Sequence, residues 1–295
     1  MAALERVVPG EVSEKAIERL VRGSIDMHAH FGPDPQVPRR TDAALLAKMA
    51  DELEMAGVVL KSHDFPTGQI AATVTEQATR VKLIGSIVLN SQVGGLNPEA
   101  LEASARIGAR VVWFPTLSSA NDKAKLDLPG QGIGILDGDG KVLPVVEELL
   151  SLIKEYEMVL ATGHVSVPES LALVEAGRMR GLKKVVVTHP LVSVVGATMS
   201  LEEQKALAEK GAFIEHIYAG CSHLMQWYSP GRIAEAVAVV GAERTILSTD
   251  FGLAHNPPPP EGMRMIVAGM LSAGLTEQQV ERMVKVNPAR LLDMV

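Results

Sequence analysis

The sequence predicts an α/β protein: a single barrel of eight parallel strands alternating with helices. Three observations predict it. Short β-branched runs recur at a steady interval, a helical pattern precedes each, and several of those patterns close on a glycine. The runs are residues 24–30 (SIDMHAH), 57–63 (GVVLKSH), 83–90 (LIGSIVLN), 109–116 (ARVVWFPT), 158–164 (MVLATGH), 184–189 (KVVVTH), 212–216 (AFIEH) and 245–250 (TILSTD).

Between them, helical periodicity covers 42–56, 67–80, 97–107, 143–156, 168–180, 201–210 and 231–240. Gly57, Gly108, Gly181, Gly211 and Gly241 stand where a left-handed C-cap is expected. Flanking helices are expected at 13–21 and 276–294, and 257–260 (PPPP) reads as a stiff loop. Strand–helix–strand units joined by right-handed crossovers fit a (β/α)8 TIM-type barrel, whose ordinary size is ~250 residues. An open doubly wound sheet would carry a Gly-rich phosphate loop after an early strand, and the sequence has none. No linker or composition shift divides the chain, so residues 1–295 are expected to form one domain. Two long segments, 117–142 and 217–230, follow strand ends and are expected to overhang the barrel mouth as lids. The Asp-Gly pairs of the first suggest a small hairpin.

Composition narrows the partners. With 28 Lys and Arg against 35 Asp and Glu, the net charge is −7, which argues against nucleic acid and anionic membrane surfaces. The lone Cys221 excludes an intramolecular disulfide framework. Glu5, Glu11 and Glu14 interrupt any apolar leader, and no run reaches the ~18 apolar residues of a membrane span. The expectation is a cytoplasmic protein acting on a small molecule, compatible with a homo-oligomer.

Six of the eight histidines fall at, or within two residues of, a predicted strand C-terminus, where barrel enzymes assemble their chemistry. His28 and His30 stand two apart on one strand, so both project to one face; Asp26 shares that parity and is expected beneath them. His164, His189 and Asp250 close three further strands. Together they form a nitrogen–oxygen ligand set suited to zinc, manganese or iron. Lys61 and His63 end the second strand on one face. Asn90 and Thr116 end the third and fourth and are candidate substrate contacts. His216 ends the seventh and is expected to line the pocket, with the facing of its neighbour Glu215 undecided.

On these residues the chain resembles the amidohydrolase superfamily of metal-dependent (β/α)8 hydrolases. The matching positions are His28-Ala29-His30, His164, His189, Asp250 and the closing VNPARLL. The resemblance implies one or two divalent metals, most simply zinc, bound by His28, His30, His164, His189 and Asp250. It also implies that metal-activated water attacks an amide, lactam, lactone or ester, with Asp250 moving the proton; His63, from its shared face with Lys61, is a further candidate catalytic residue, as a supporting donor or a substrate contact. One departure stands out: the fourth strand, VVWFPT, lacks the lysine or acid that bridges two metals in many members. Lys61 is the nearest replacement, as a carbamate bridge, with a substrate clamp or a single-metal site as rivals. Two other chemistries stay open, a metal-dependent decarboxylase or isomerase and a Schiff-base aldolase using Lys61.

Overall fold

The structure, a computed structural model, describes residues 12–77 and 80–294. Its strands are β1 (Ile25–His30), β2 (Gly57–Lys61), β3 (Lys82–Ile84), β4 (Ser86–Val88), β5 (Val111–Trp113), β6 (Val159–Ala161), β7 (Val185–Val187), β8 (Phe213–Ile217) and β9 (Thr245–Ser248). The helices are α1 (Glu14–Val21), α2 (Ala43–Glu52), α3 (Gly68–Thr75), α4 (Pro98–Arg106), α5 (Ala120–Lys125) and α6 (Pro144–Glu155). They continue as α7 (Val167–Met179), α8 (Leu201–Glu209), α9 (Pro230–Val240), α10 (Pro259–Ser272), α11 (Glu277–Glu281) and α12 (Asn287–Leu291). Every strand pairing is parallel.

The continuous closed ladder expected from the sequence does not form. The strands make a three-stranded sheet, β1-β2-β3, and a six-stranded sheet, β4 through β9 in order. The expected third strand is split at Gly85 because Thr67 wedges beside it. Thr67 gives its backbone N–H to the Ser86 carbonyl at 2.9 Å and receives the Ser86 N–H on Oγ1 at 2.7 Å. The same hydroxyl reaches the Leu60 carbonyl at 2.8 Å, so a side chain fills the place of a ladder bond between β2 and β4. On the other side, β1 meets the residues after β9 through two backbone bonds, Asp250 N to His28 O and His30 N to Phe251 O, both 2.8 Å.

Two outer apolar clusters pack helices against the strands, one including residues of α1, α2 and α10, the other residues of α4, α6, α7 and α8. An inner cluster, with Ile25, Met27, Val59, Val111, Trp113, Val159, Val186, Phe213 and Ile246, fills the space enclosed by the strands. Each such buried side chain contributes about 1.5–3 kcal/mol relative to exposure. Above this packed floor lie the strand C-termini. On β1, Asp26 pairs with Val58 while Ala29 pairs with Leu60, so β1 carries one extra residue. That bulge passes the inward position from Ile25 and Met27 to His28 and His30.

Several local expectations need correction. Gly57 lies inside β2; α2 ends earlier, and Glu54 takes the left-handed backbone with φ 53°. Pro259 and Pro260 open α10, a helix not foreseen, since proline suits a first helical turn. The C-terminal helix is α11 and α12 joined by a π-helical turn, Arg282–Val286. The expected helix 67–80 is seen as α3, and positions 78 and 79 lie outside the described residues, as does the N-terminal stretch with Glu5 and Glu11. Among the described residues, no helix is long and apolar enough to cross a membrane.

Candidate active site

Three lone-pair atoms converge at the end of β1. Asp250 Oδ1 lies 3.0 Å from His28 Nε2 and 3.1 Å from His30 Nε2. The other nitrogen of His28, Nδ1, faces the Glu215 carboxylate at 3.2 Å, which orients the ring and aims Nε2 at the cluster. His28, His30 and Asp250 lie close enough together to hold a single cation. Lys61 Nζ sits 2.9 Å from His28 Nε2 and over the Trp113 ring, 5.2 Å from its centroid.

A second pair stands opposite. His164 Nε2 and His189 Nε2 are 3.1 Å apart. His164 Nδ1 is held at 2.5 Å by Asp122 of α5, whose other oxygen accepts the Gly196 N–H at 2.7 Å. His63 stacks on His30 with centroids 4.9 Å apart and bonds through Nδ1 to Thr116 Oγ1 at 2.8 Å.

Burial sets the protonation states. It pushes His30 down to about 3 and lowers His63, His164 and His189, so these imidazoles are neutral at pH 7, the form that ligates metals. Burial acts on His28 in the same direction, yet Asp250 and Glu215 outweigh it and hold its cation to about 9. Burial draws the Lys61 ammonium down to about 8 against the opposing pull of Asp250 and Glu215. Asp250 is buried, but His28 and His30 hold its carboxyl well below the usual range.

The backbone is strained where it delivers two of these groups: His189 has φ 27° and Asp250 φ 50°. Left-handed non-glycine residues cost about 1–3 kcal/mol and persist where their surroundings fix them. Gly252, with φ 146°, passes so close to His30 that a Cβ would stand 2.4 Å from the His30 carbonyl oxygen.

The groups open into a cavity of ≈ 260 Å³. His30, Lys61, His63, His164, His189 and Asp250 line one side; Asp34, Gln36, Arg39, Leu253 and Asn256 also line it, with apolar residues including Val192, Val195, Ile217, Met225 and Trp227. Segment 217–230 thus lines the cavity, whereas segment 117–142 contributes only Leu117 and chiefly braces His164 through Ser119, Asn121 and Asp122. Its hairpin forms at Asp137–Lys141.

Other expected positions fall elsewhere. His216 faces away from the cavity: β8 turns Phe213, Glu215 and Ile217 inward, and His216 is buried with neither ring nitrogen bonded among the described residues. Asn90 and Thr116 do not line the cavity. The Asn90 amide is consumed by the His63 carbonyl, Thr116 and the Ser118 N–H, fastening three strand ends together. Asp26 touches neither imidazole; it holds the backbone N–H of His28 and Thr249 and the Thr249 hydroxyl. Sequence reasoning missed Asp122 and the inward lining residues Arg39 and Asn256, none of which sits at a strand end.

Comparisons with known proteins agree with this architecture. A family described as of unknown function, DUF6282, matches residues 23–215. No curated protein matches the sequence. Among solved structures, the probable dipeptidase PvdM from Pseudomonas aeruginosa superposes with a TM-score of 0.64 at 12% identity, covering 95% of this chain and 98% of that one. An amidohydrolase from Pseudomonas aeruginosa gives 0.60 at 13% identity, with 95% and 98% covered. 2,6-Dihydroxybenzoate decarboxylase from Rhizobium gives 0.56 at 13% identity, with 92% and 99% covered. The fold is therefore that of amidohydrolase-superfamily members, which include both hydrolases and decarboxylases.

Proposed function

The chain belongs to DUF6282, a family of unknown function, and from that premise we propose that it is a metal-dependent hydrolase of small molecules. The bond cleaved would be an amide, lactam, lactone or ester. The observation that carries this reading is the convergence of His28 Nε2 and His30 Nε2 on Asp250 Oδ1, at 3.0 and 3.1 Å, with Glu215 steering the His28 ring from behind. Two imidazoles, His30 neutral and His28 neutral once an incoming ion displaces its proton, and a carboxylate fit zinc first, with manganese and iron as chemically suitable substitutes. His28, His30 and Asp250 would hold one ion; His164 and His189, their Nε2 atoms face to face, would hold a second. A bound divalent ion supplies a water acidic enough to act as hydroxide near neutral pH and polarises the carbonyl under attack.

The chain's own residues do the rest. Asp250 lines the cavity and carries a proton from the water to the leaving group. His63, neutral and fixed by Thr116, offers its free nitrogen to the substrate. Lys61, buried and drawn toward its amine form, is suited to carbamylation. The amine nitrogen forms a bond to carbon dioxide and releases one proton, giving an anion with two oxygens that can bridge two cations. The same reading takes the chain as one domain and the two sheets as one eight-step barrel. Its support is the sequential, all-parallel order within each sheet and the two backbone bonds from β1 to Asp250 and Phe251.

The test is elemental analysis of protein purified without chelator, followed by assay against panels of amides, lactams, lactones and esters. One or two metal ions per chain and hydrolysis lost in Asp250→Asn are expected. Release of carbon dioxide from a carboxylated substrate would instead assign a decarboxylase, and protein without bound metal that also takes none up would refute the reading.

A further inference from the structure

We infer that Asn256, with Arg39, forms a recognition subsite for an amide-type group of the substrate, a lactam or carboxamide presenting N–H and C=O together. Asn256 is 1% exposed and lines the cavity, yet neither Oδ1 nor Nδ2 has a hydrogen-bond partner among the described residues. A buried amide left bare is costly, so its natural partner is whatever enters the cavity. Exchanging its oxygen and nitrogen changes nothing: either orientation offers one donor and one acceptor.

Arg39 narrows the ligand's charge. Its Nε donates to Asp34 Oδ2 at 2.7 Å and its Nη2 lies 2.6 Å from the same oxygen in an ion pair, while Nη1 takes no part in that pair. Asp34 Oδ1 is occupied by the N–H groups of Gln36 and Val37, at 2.9 and 3.0 Å. The guanidinium is thus fixed and already neutralised, and it can donate to a carbonyl without demanding an anion. A carboxylate would face the bare Asn256 oxygen and the Asp34 charge, whereas an amide satisfies both atoms of Asn256 and leaves its carbonyl a second lone pair for Arg39. The two residues belong to one framework, since Arg40 N–H donates to Gly252 O at 2.8 Å and Ala254 N–H to Pro38 O at 3.1 Å. Val37, Val195, Ile217, Trp227 and Leu253 supply apolar walls for the ligand body.

This rests on the cavity being the substrate site, and its test is independent of metal. Ligand-observed NMR titration would compare 3,4-dihydroquinolin-2-one, its N-methyl derivative and benzoate, on chelator-treated and zinc-supplemented protein. The lactam should bind roughly tenfold more tightly than the N-methyl derivative, the difference one buried hydrogen bond makes. Asn256→Leu should lose that preference, while the nearly isosteric Asn256→Asp, which keeps an acceptor for the lactam N–H but has no donor for its carbonyl, should keep the preference and bind both lactams more weakly; both variants should stay within a few degrees of the wild-type melting temperature. Equal binding of the two lactams, a preference that survives in a folded Asn256→Leu variant, undiminished lactam binding in a folded Asn256→Asp variant, or benzoate binding most tightly to chelator-treated protein would each overturn the subsite. If the lactam preference stands but no metal binds, the hydrolase reading falls and the subsite remains; if metal binds but the preference is absent, the hydrolase reading remains and the subsite falls.

Discussion

Lys61 is a cation-forming side chain, 1% exposed, placed 2.9 Å from an imidazole nitrogen. A bridging role predicts that Lys61→Ala lowers metal content from about two ions to one or fewer per chain, through loss of a direct ligand. Full metal content with weakened substrate binding would identify a clamp instead. His216 makes a prediction of a different kind. Burial, aided by the charge of Arg232, lowers it to about 3, so the folded protein keeps it neutral while the unfolded chain protonates it near 6.5. Below pH 6.5 the unfolded state binds the extra proton, and this residue therefore removes stability as pH falls, by about 1.4 kcal/mol per pH unit until its folded value is reached. His216→Leu should flatten that part of the pH dependence in denaturant titrations. It should also gain about 1–3 kcal/mol at pH 7 by deleting an unpaired buried polar group. The outward facing of His216 was not legible in the sequence, because in FIEHI apolar neighbours flank both Glu215 and His216. A parallel strand buried on both faces gives no polar side by which to tell inward from outward. His28 and His30 were legible because two groups of like chemistry shared one parity.

At the scale of elements, α5 is a short helix with a single buried residue, the carboxylate Asp122. It was invisible in the sequence because its partner, His164, stands 42 residues away and no periodicity announces a six-residue helix. Asp122→Asn removes the charged acceptor that orients His164. Metal affinity at the His164–His189 pair should then fall about 10- to 100-fold, read by competitive chelator titration. The first equivalent, proposed to be held at His28, His30 and Asp250, should bind as before; loss of both together would mean that α5 supports the whole cavity. The loop after β8 behaves differently, since Met225 and Trp227 line the cavity directly. Trp227→Ala should raise KM, or weaken binding of a probe, with little change in melting temperature.

For the whole molecule, the alternation of strands and helices was readable because each unit must bury its apolar face against the next. The split at Gly85 was not, because its cause is Thr67, a residue outside the run LIGSIV that it interrupts. The gathering of ionisable groups at strand ends sets neutral His30, His63, His164 and His189, together with strained backbone, around one cavity. Such a site is stabilised when its cation binds, by about 2.7 kcal/mol at a hundredfold excess over Kd. Chelation should therefore lower the melting temperature, and zinc should restore it.

Asp26 links the backbone of β1 to Thr249, 223 residues further along the chain. The consequence concerns the protein while it is still being made. A growing chain releases His28 and His30 long before Thr249 and Asp250 leave the ribosome, so through most of synthesis the first two imidazoles lack their carboxylate. Closing so long a loop is slow and entropically costly. Metal binding at this site would thereby be deferred until the last strand has emerged, and a nascent chain stalled before residue 245 should hold metal far more weakly than the finished protein.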